Sequence, residues 1–346
     1  MKTILPGILL SLSLIILGNT QVKAQEFPTA VSYMEYLGTE FSAISRDLWS
    51  YMKTSAHSRS GRKIDNRRKQ LIETTDLVRK KIAAMPSFEG DASYRDAFVE
   101  YLKLNVTVLK EDYDKILDLE EIAEQSYDYM EAYLLAKEKA GEKMDIAYDK
   151  LQEIEKKFAE GHKIQLIEGE SKLTNKIETA NEVIKYYNVV YLLFFKSYKQ
   201  EAYLIEAMNK NDVNAMEQTK NSLLKYAQED TKKLDTLKNF KNDASLKTSC
   251  RSLLTFYQTE SKTKMPIIID FYLKKESFEK MSKTMESKAA SQRTKAEIDQ
   301  YNAAVKAYNA AIANFNKENE YLNKTRSQLL DQWNKAVQDF MDKHVP

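Results

Sequence analysis

From Pro28 onward apolar residues recur every three or four positions. Val31, Met34, Leu37, Phe41, Ile44, Leu48 and Met52 form the first such series, a spacing that puts them on one stripe of an α-helix. The series fails near His57-Ser58-Arg59-Ser60-Gly61, where the helix should end. A second helix is expected from about Asp65 through Leu71, Leu77, Val78 and Ile82 to the break at Met85-Pro86. Asp91 or Ser93 can cap a third, because a short oxygen-bearing side chain satisfies free N–H groups of a first turn. Its stripe passes through Phe98, Leu102, Leu109, Ile116, Leu119 and Ile122 towards Leu135, with a break or turn expected around Lys139-Ala140-Gly141. A fourth follows on Ile146, Leu151, Ile154 and Phe158 and should end by Gly161 or Gly169.

The same order then begins again. Helices are expected from about Lys176 to Asn209 and from Val213 to Phe240, and a third opens near Asp243. The last runs from about Thr294 to Lys343 on Ile298, Tyr301, Val305, Tyr308, Ile312, Phe315, Leu322, Leu329, Trp333, Val337 and Phe340, without a glycine. That length and pattern suit a coiled-coil arm of a bundle. The repetition extends to the residues themselves. Shifted by 152, positions 80–120 match positions 232–272 at 11 of 41 places without a gap, including Phe88 with Phe240 and Asp91-Ala92-Ser93 with Asp243-Ala244-Ser245. Internal duplication follows as the expectation. The repeated Phe-x-x-Asp-Ala-Ser reads as an aromatic staple ahead of a helix cap. The alternative is a pair of ligand sites carrying Asp91 and Asp243. Met265-Pro266 stands where the first copy has Tyr113-Asp114, so a proline kink or break should set the two copies apart there.

Composition agrees with helices throughout. Eight glycines and five prolines in 346 residues, with 30% charged residues, cannot supply the turns of a β fold. The expected fold class is all-α: two tandem, duplicated helical-bundle units with long antiparallel helices, elongated, spanning residues 25–172 and 173–346.

Residues 1–24 stand apart. Lys2 precedes an apolar run from Ile8 to Leu17, and Val22-Lys23-Ala24 offers small residues for cleavage ahead of Gln25. This is the pattern of a secretory signal peptide, too short to span a bilayer. Its removal takes away Lys2 and Lys23, leaving 51 basic against 51 acidic residues from the full 53 and 51. Net charge then gives no pull towards nucleic acid, which is not expected as a partner. Cys250 is the single cysteine, so no disulfide framework exists and stability must come from packing, as suits a bacterial envelope protein. Since Cys250 aligns with Phe98 in the repeat, it should be buried and inert.

Candidate chemistry is sparse. The residues three before His57, His162 and His344 are Thr54, Ala159 and Met341, so the Glu-x-x-His pairs of a di-iron bundle are missing. Zinc would need more Cys or His. The acids Glu111-Asp112-Tyr113-Asp114 and Asp118-Glu120-Glu121-Glu124 read as a solvated helix face, and His162 as a surface turn residue. No phosphate-binding loop or nucleophile elbow occurs in the sequence. No catalytic, cofactor-binding or metal residue is assigned, and no cofactor is expected. The clearest local imbalance is Arg59, Arg62, Lys63, Arg67, Arg68 and Lys69 against Asp65 alone. Sited at a helix junction, that patch could dock an envelope protein or an anionic surface component. The most apolar stretch, Tyr186 to Phe195, covers half of what a bilayer requires. It reads as a helix buried all round, with membrane insertion as the alternative.

Three segments carry a resemblance: Tyr191-Leu192-Leu193-Phe194-Phe195-Lys196-Ser197-Tyr198-Lys199-Gln200-Glu201-Ala202-Tyr203, Asn211-Asp212-Val213-Asn214-Ala215, and Asp342-Lys343-His344-Val345-Pro346. Through them the chain resembles an uncharacterised family of exported bacterial all-helical surface proteins. The resemblance implies an envelope or surface location and brings no activity or site residues. The resulting expectation is a non-enzymatic binding or scaffold module, exported to the periplasm or outer surface of a Gram-negative-type envelope. A membrane-active helical protein is one alternative. An enzyme or small-ligand carrier with a carboxylate- and tyrosine-lined bundle pocket is another.

Overall fold

The computed structural model describes residues 27–58, 60–112, 122–166 and 172–345. Among them the fold is all-α. The first half holds α1 (Ala30–His57), α2 (Gly61–Ala83), α3 (Ser93–Thr107) and α4 (Tyr127–Gly161). The second holds α5 (Lys172–Asn209), α6 (Val213–Thr236), α7 (Ser245–Thr259), α8 (Met265–Glu286) and α9 (Lys295–His344). The signal-peptide expectation, Arg59, Tyr113 to Glu121 and Gly169 lie outside the described residues.

Local chemistry sets the helix starts. Thr29 and Ser32 exchange hydrogen bonds as a capping box on α1, and Thr294 and Glu297 do so on α9. Ser60, Ser126 and Asp212 cap α2, α4 and α6 through side-chain oxygens. Two expectations about α3 and α4 need correction. α3 does not run on to Leu135: it passes into a π-helical turn, Val108–Asp112, and a new helix starts after Ser126. Nor is there a break at Lys139-Ala140-Gly141, because α4 continues through it, with Ala140 buried against Val108. One interior glycine costs a helix only about 1 kcal/mol, which packing outweighs. At Met265-Pro266 the chain leaves a second π-helical turn, Glu260–Lys264, and the proline opens α8, where its missing N–H costs least.

The helix junctions repeat. Glu89-Gly90 and Lys241-Asn242 both have positive φ at each residue, a tight-turn geometry that pairs the flanking Phe88 with Asp91 and Phe240 with Asp243. Asp91 Oδ1 accepts from the Ser93 N–H and Asp243 Oδ1 from the Ser245 N–H, each at 2.8 Å. Arg95 reaches the Met85 carbonyl, and Lys247, 152 residues on, reaches that of Leu237. Arg68 pairs with Asp65 on α2, and Lys220 with Glu217 on α6. Both π-helical turns follow the same helix position.

Each junction is closed by an aromatic group. Tyr33, Phe158 and His162 surround Phe88, and Tyr186, Phe340 and His344 surround Phe240. The spacing between matching residues is 152 at the phenylalanines and 182 at the histidines. The second half therefore carries 30 extra residues between junction and closing helix. Split over two antiparallel helices, they lengthen the α8–α9 arm by about 22 Å. Phe271, Phe278, Tyr301, Tyr308 and Phe315 stack along that arm.

Two cores result. One lies within the first half around Tyr33, Leu37, Ile82, Leu102 and Phe158. The other, around Leu204, Leu223, Leu254, Tyr257 and Phe340, also takes in Met52, Ala123 and Met130 from the first half. Leu48 and Tyr51 of α1 touch both. Gly38 and Gly141 lie inside helices, with open space where a Cβ would sit. Gly141→Ala should thus raise the unfolding free energy by about 0.5–1 kcal/mol in urea titration, with Gly38→Ala doing the same. A lowered midpoint would show that the open space is needed.

Candidate functional site

A helix wholly surrounded by its own bundle leaves no room for a ligand, but α5 also forms the seam between the halves. Along it lies a half-open cleft of about 880 Å³, lined by the end of α1, by α5 and by α9. Its wall is aromatic: Tyr187, Tyr191, Phe194, Phe195 and Tyr198 of α5 face Trp333 of α9. Phe194 and Trp333 pack with ring centroids 4.8 Å apart, and Tyr191 stacks on Phe195 at 5.4 Å. Burial pushes the Tyr187 hydroxyl up to about 12, so it acts as a neutral donor at physiological pH. The rim is polar, with His57, Glu124, Lys199 and Asp342. Rings that offer π-faces beside a few polar groups are the usual chemistry of a binding cleft.

Beside one end of this wall lies a buried polar cluster. Arg326 of α9 donates through Nε to Glu201 of α5 at 2.6 Å and through Nη2 to Glu260 at 2.8 Å. Tyr198 of the cleft is one turn from Glu201, and Leu330 of the cleft one turn from Arg326. Glu201 and Glu260 are almost wholly buried. Burial first, and then the neighbouring Glu201 carboxylate, push Glu260 well above the ordinary carboxylate range. Glu260 Oε2, the Tyr257 hydroxyl and Ser197 Oγ are buried without hydrogen-bond partners.

The corresponding positions of the first half are Leu48, Val108 and Met144, at the spacings of 153 (as between Tyr33 and Tyr186), 152 and 182. There the same architecture closes with apolar side chains, so the charged cluster is not a packing requirement of the fold. Sequence reading missed it because its members lie 59 and 66 residues apart in a chain with 30% charged residues. The available signal was Glu260 standing 152 residues after Val108, a charged residue at the expected repeat spacing from an apolar one.

The expected anionic-partner patch is only partly open. Arg68 is buried, pairs with Asp65 and donates to the Leu109 carbonyl of the π-helical turn at 3.1 Å. Lys69 also pairs with Asp65, at 2.7 Å. Arg62, Lys63 and Arg67 remain exposed, with Arg67 bonded to Gln70. His162, expected at the surface, is instead packed 4.4 Å from Phe158 and 5.1 Å from Phe88. Cys250 is buried, and burial pushes its thiol up to about 12, so it is no nucleophile. Among the described residues no group of three or more His, Cys, Asp and Glu is placed to hold a metal ion. No helix among them is long and apolar enough to cross a membrane. Asp91 and Asp243 stand one place before the N-cap residues Ala92 and Ala244, and each accepts the N–H of the first residue of the helix that follows.

At the second junction Asp243 has further partners: Lys343 Nζ at 2.7 Å and His344 Nε2 at 2.9 Å. Burial alone would raise this carboxyl, but Lys343, the Ser245 hydroxyl and N–H, and His344 together hold it well below the usual range. The chain matches no protein-family model, no curated protein and no solved structure.

Two predictions follow from these clusters. A depressed carboxylate stabilises the fold above its unfolded value near 4 and loses that contribution as pH falls towards its folded value. Asp243→Asn should therefore cost about 1–2 kcal/mol at pH 7, with the deficit shrinking progressively below about pH 4. A deficit independent of pH would rule the charge out as its cause. Arg326→Met should cost about 3 kcal/mol by stranding the buried acids, while adding Glu201→Met and Glu260→Leu should recover most of that loss. A triple variant no better than the single one would show that the cluster holds the fold.

Proposed function

We propose that this protein is a non-enzymatic binding or scaffold module exported to a bacterial envelope, and that it takes its ligand or partner in the cleft between its halves. The observation that carries the reading is the aromatic wall of α5 facing Trp333 across a half-open space. The apolar run from Ile8 to Leu17 at the start of the sequence supports export. The matching junctions support descent of the two halves from one duplicated four-helix unit, the second later lengthened in its arm. A doubled unit makes a seam that one copy lacks, and the cleft lies on that seam. Arg62, Lys63 and Arg67 are the side chains free to meet an anionic envelope component.

A second reading, a small-ligand carrier with a carboxylate- and tyrosine-lined pocket, draws on Glu201, Glu260 and Tyr257 beside the cleft. A membrane-active reading draws on the apolar stretch of α5, where Val189 is 49% exposed; absence of leakage from liposomes would reject it.

Native mass spectrometry of the mature protein, purified gently from the cells that make it, tests the cleft. Wild type should carry mass beyond the polypeptide that leaves on denaturation. A folded Tyr198→Glu, Lys199→Glu variant should carry little of it, because both side chains line the cleft. Equal retention by both proteins would place the ligand elsewhere, and a bare polypeptide from both would contradict ligand uptake.

A further inference from the structure

His57 is the last residue of α1 and stands on the rim of the cleft. Its two ring nitrogens meet two different oxygens of the chain's end. Nδ1 lies 2.9 Å from the Asp342 carboxylate, and Nε2 lies 2.9 Å from the Val345 carbonyl. A peptide carbonyl only accepts hydrogen bonds, and so does an ionised carboxylate. Neutral imidazole carries one N–H, so in that form one nitrogen lone pair would face an oxygen at contact distance. Only the imidazolium, with two N–H groups, satisfies both.

The contact joins places far apart in sequence. Asp342 is in the last turn of α9, and Val345 follows it with its side chain buried. Among the described residues, the charged groups facing His57 are Asp342 from α9, Glu124 ahead of α4, and Lys199 of α5 on the same rim. Lys343 and His344 turn to the other side and bind Asp243.

We propose that His57 is a pH-operated clasp: as an imidazolium it fastens the end of α9 to α1, and loss of one of its two N–H groups at higher pH frees that end and widens the cleft. The clasp rests on the ring's geometry alone. Only its consequence for ligand exchange depends on the cleft being a binding site. A neutral ring keeps one of the two bonds, so the released state is a local opening of the chain's end.

Hydrogen exchange of ligand-free, full-length protein tests the clasp without reference to any ligand. The amides of residues 341–345, corrected for intrinsic exchange, should open about ten-fold more readily at pH 8 than at pH 5.5, the factor expected on losing one hydrogen bond to a charged group. His57→Gln should open at the faster level at both pH values. His57→Arg should stay slow at both, and His344→Gln should keep the wild-type dependence. Asp342→Asn, whose amide can donate to a neutral ring, should flatten the dependence without disturbing the fold. Equal protection of wild type at both pH values, or unaltered dependence in His57→Gln, would overturn the proposal. A pH-dependent clasp in a protein that retains no ligand would refute the binding reading alone.

Discussion

A helix with apolar side chains around most of its circumference is stable in water only where partners close over it from several sides. α5 is such a helix. Val183, Val190, Phe194, Phe195 and Leu204 are buried along it, while Tyr186, Tyr187, Tyr191, Leu192 and Leu193 pack against the same core. α6 and α7 cover it from its own half, and α1 and α4 from the other. Met52 and Met130 of the first half are thereby drawn into the second half's core. The two halves are consequently one body, joined along a hydrophobic seam. The cleft is where that seam stops short of closing, because α9 meets α5 through Trp333 and reaches α1 only at its end.

On this shared frame the halves differ in what they bury. The junctions use the same turn and aromatic closure, while the second half holds Glu201, Glu260 and Arg326 where the first has Leu48, Val108 and Met144. A buried acid–arginine cluster is seldom the cheaper way to fill a core. Its place beside Tyr198 and Leu330 ties it to the cleft wall. The far end of α9 carries further polar contacts, with Asp342 on His57 across the seam and with Lys343 and His344 on Asp243 within the second half.

Much of the fold was legible in the residues. Periodicity located α1, α2 and α9, and the repeated Phe-x-x-Asp-Ala-Ser marked both junctions, because these depend on spacing and on short polar side chains. Helix interiors were harder. Gly141 suggested a break that tertiary packing of Ala140 overrides, and the real change of direction before Tyr127 has no glycine or proline to announce it. Of the site, the Tyr186–Phe195 stretch stood out for its composition. Its use as a cleft wall did not, since that depends on Trp333, 139 residues beyond Phe194. The basic patch was legible as charge, but its pairing of Arg68 and Lys69 with Asp65, and Arg68's reach to a π-turn carbonyl, belong to the folded chain.

The seam can be tested by differential scanning calorimetry of the protein. If α5 binds the halves into one body, both unfold together in a single transition whose calorimetric and van't Hoff enthalpies agree. Two separable transitions, each keeping its midpoint when the other half is destabilised by mutation, would contradict the account. The halves would then be independent domains, and the cleft between them a chance gap.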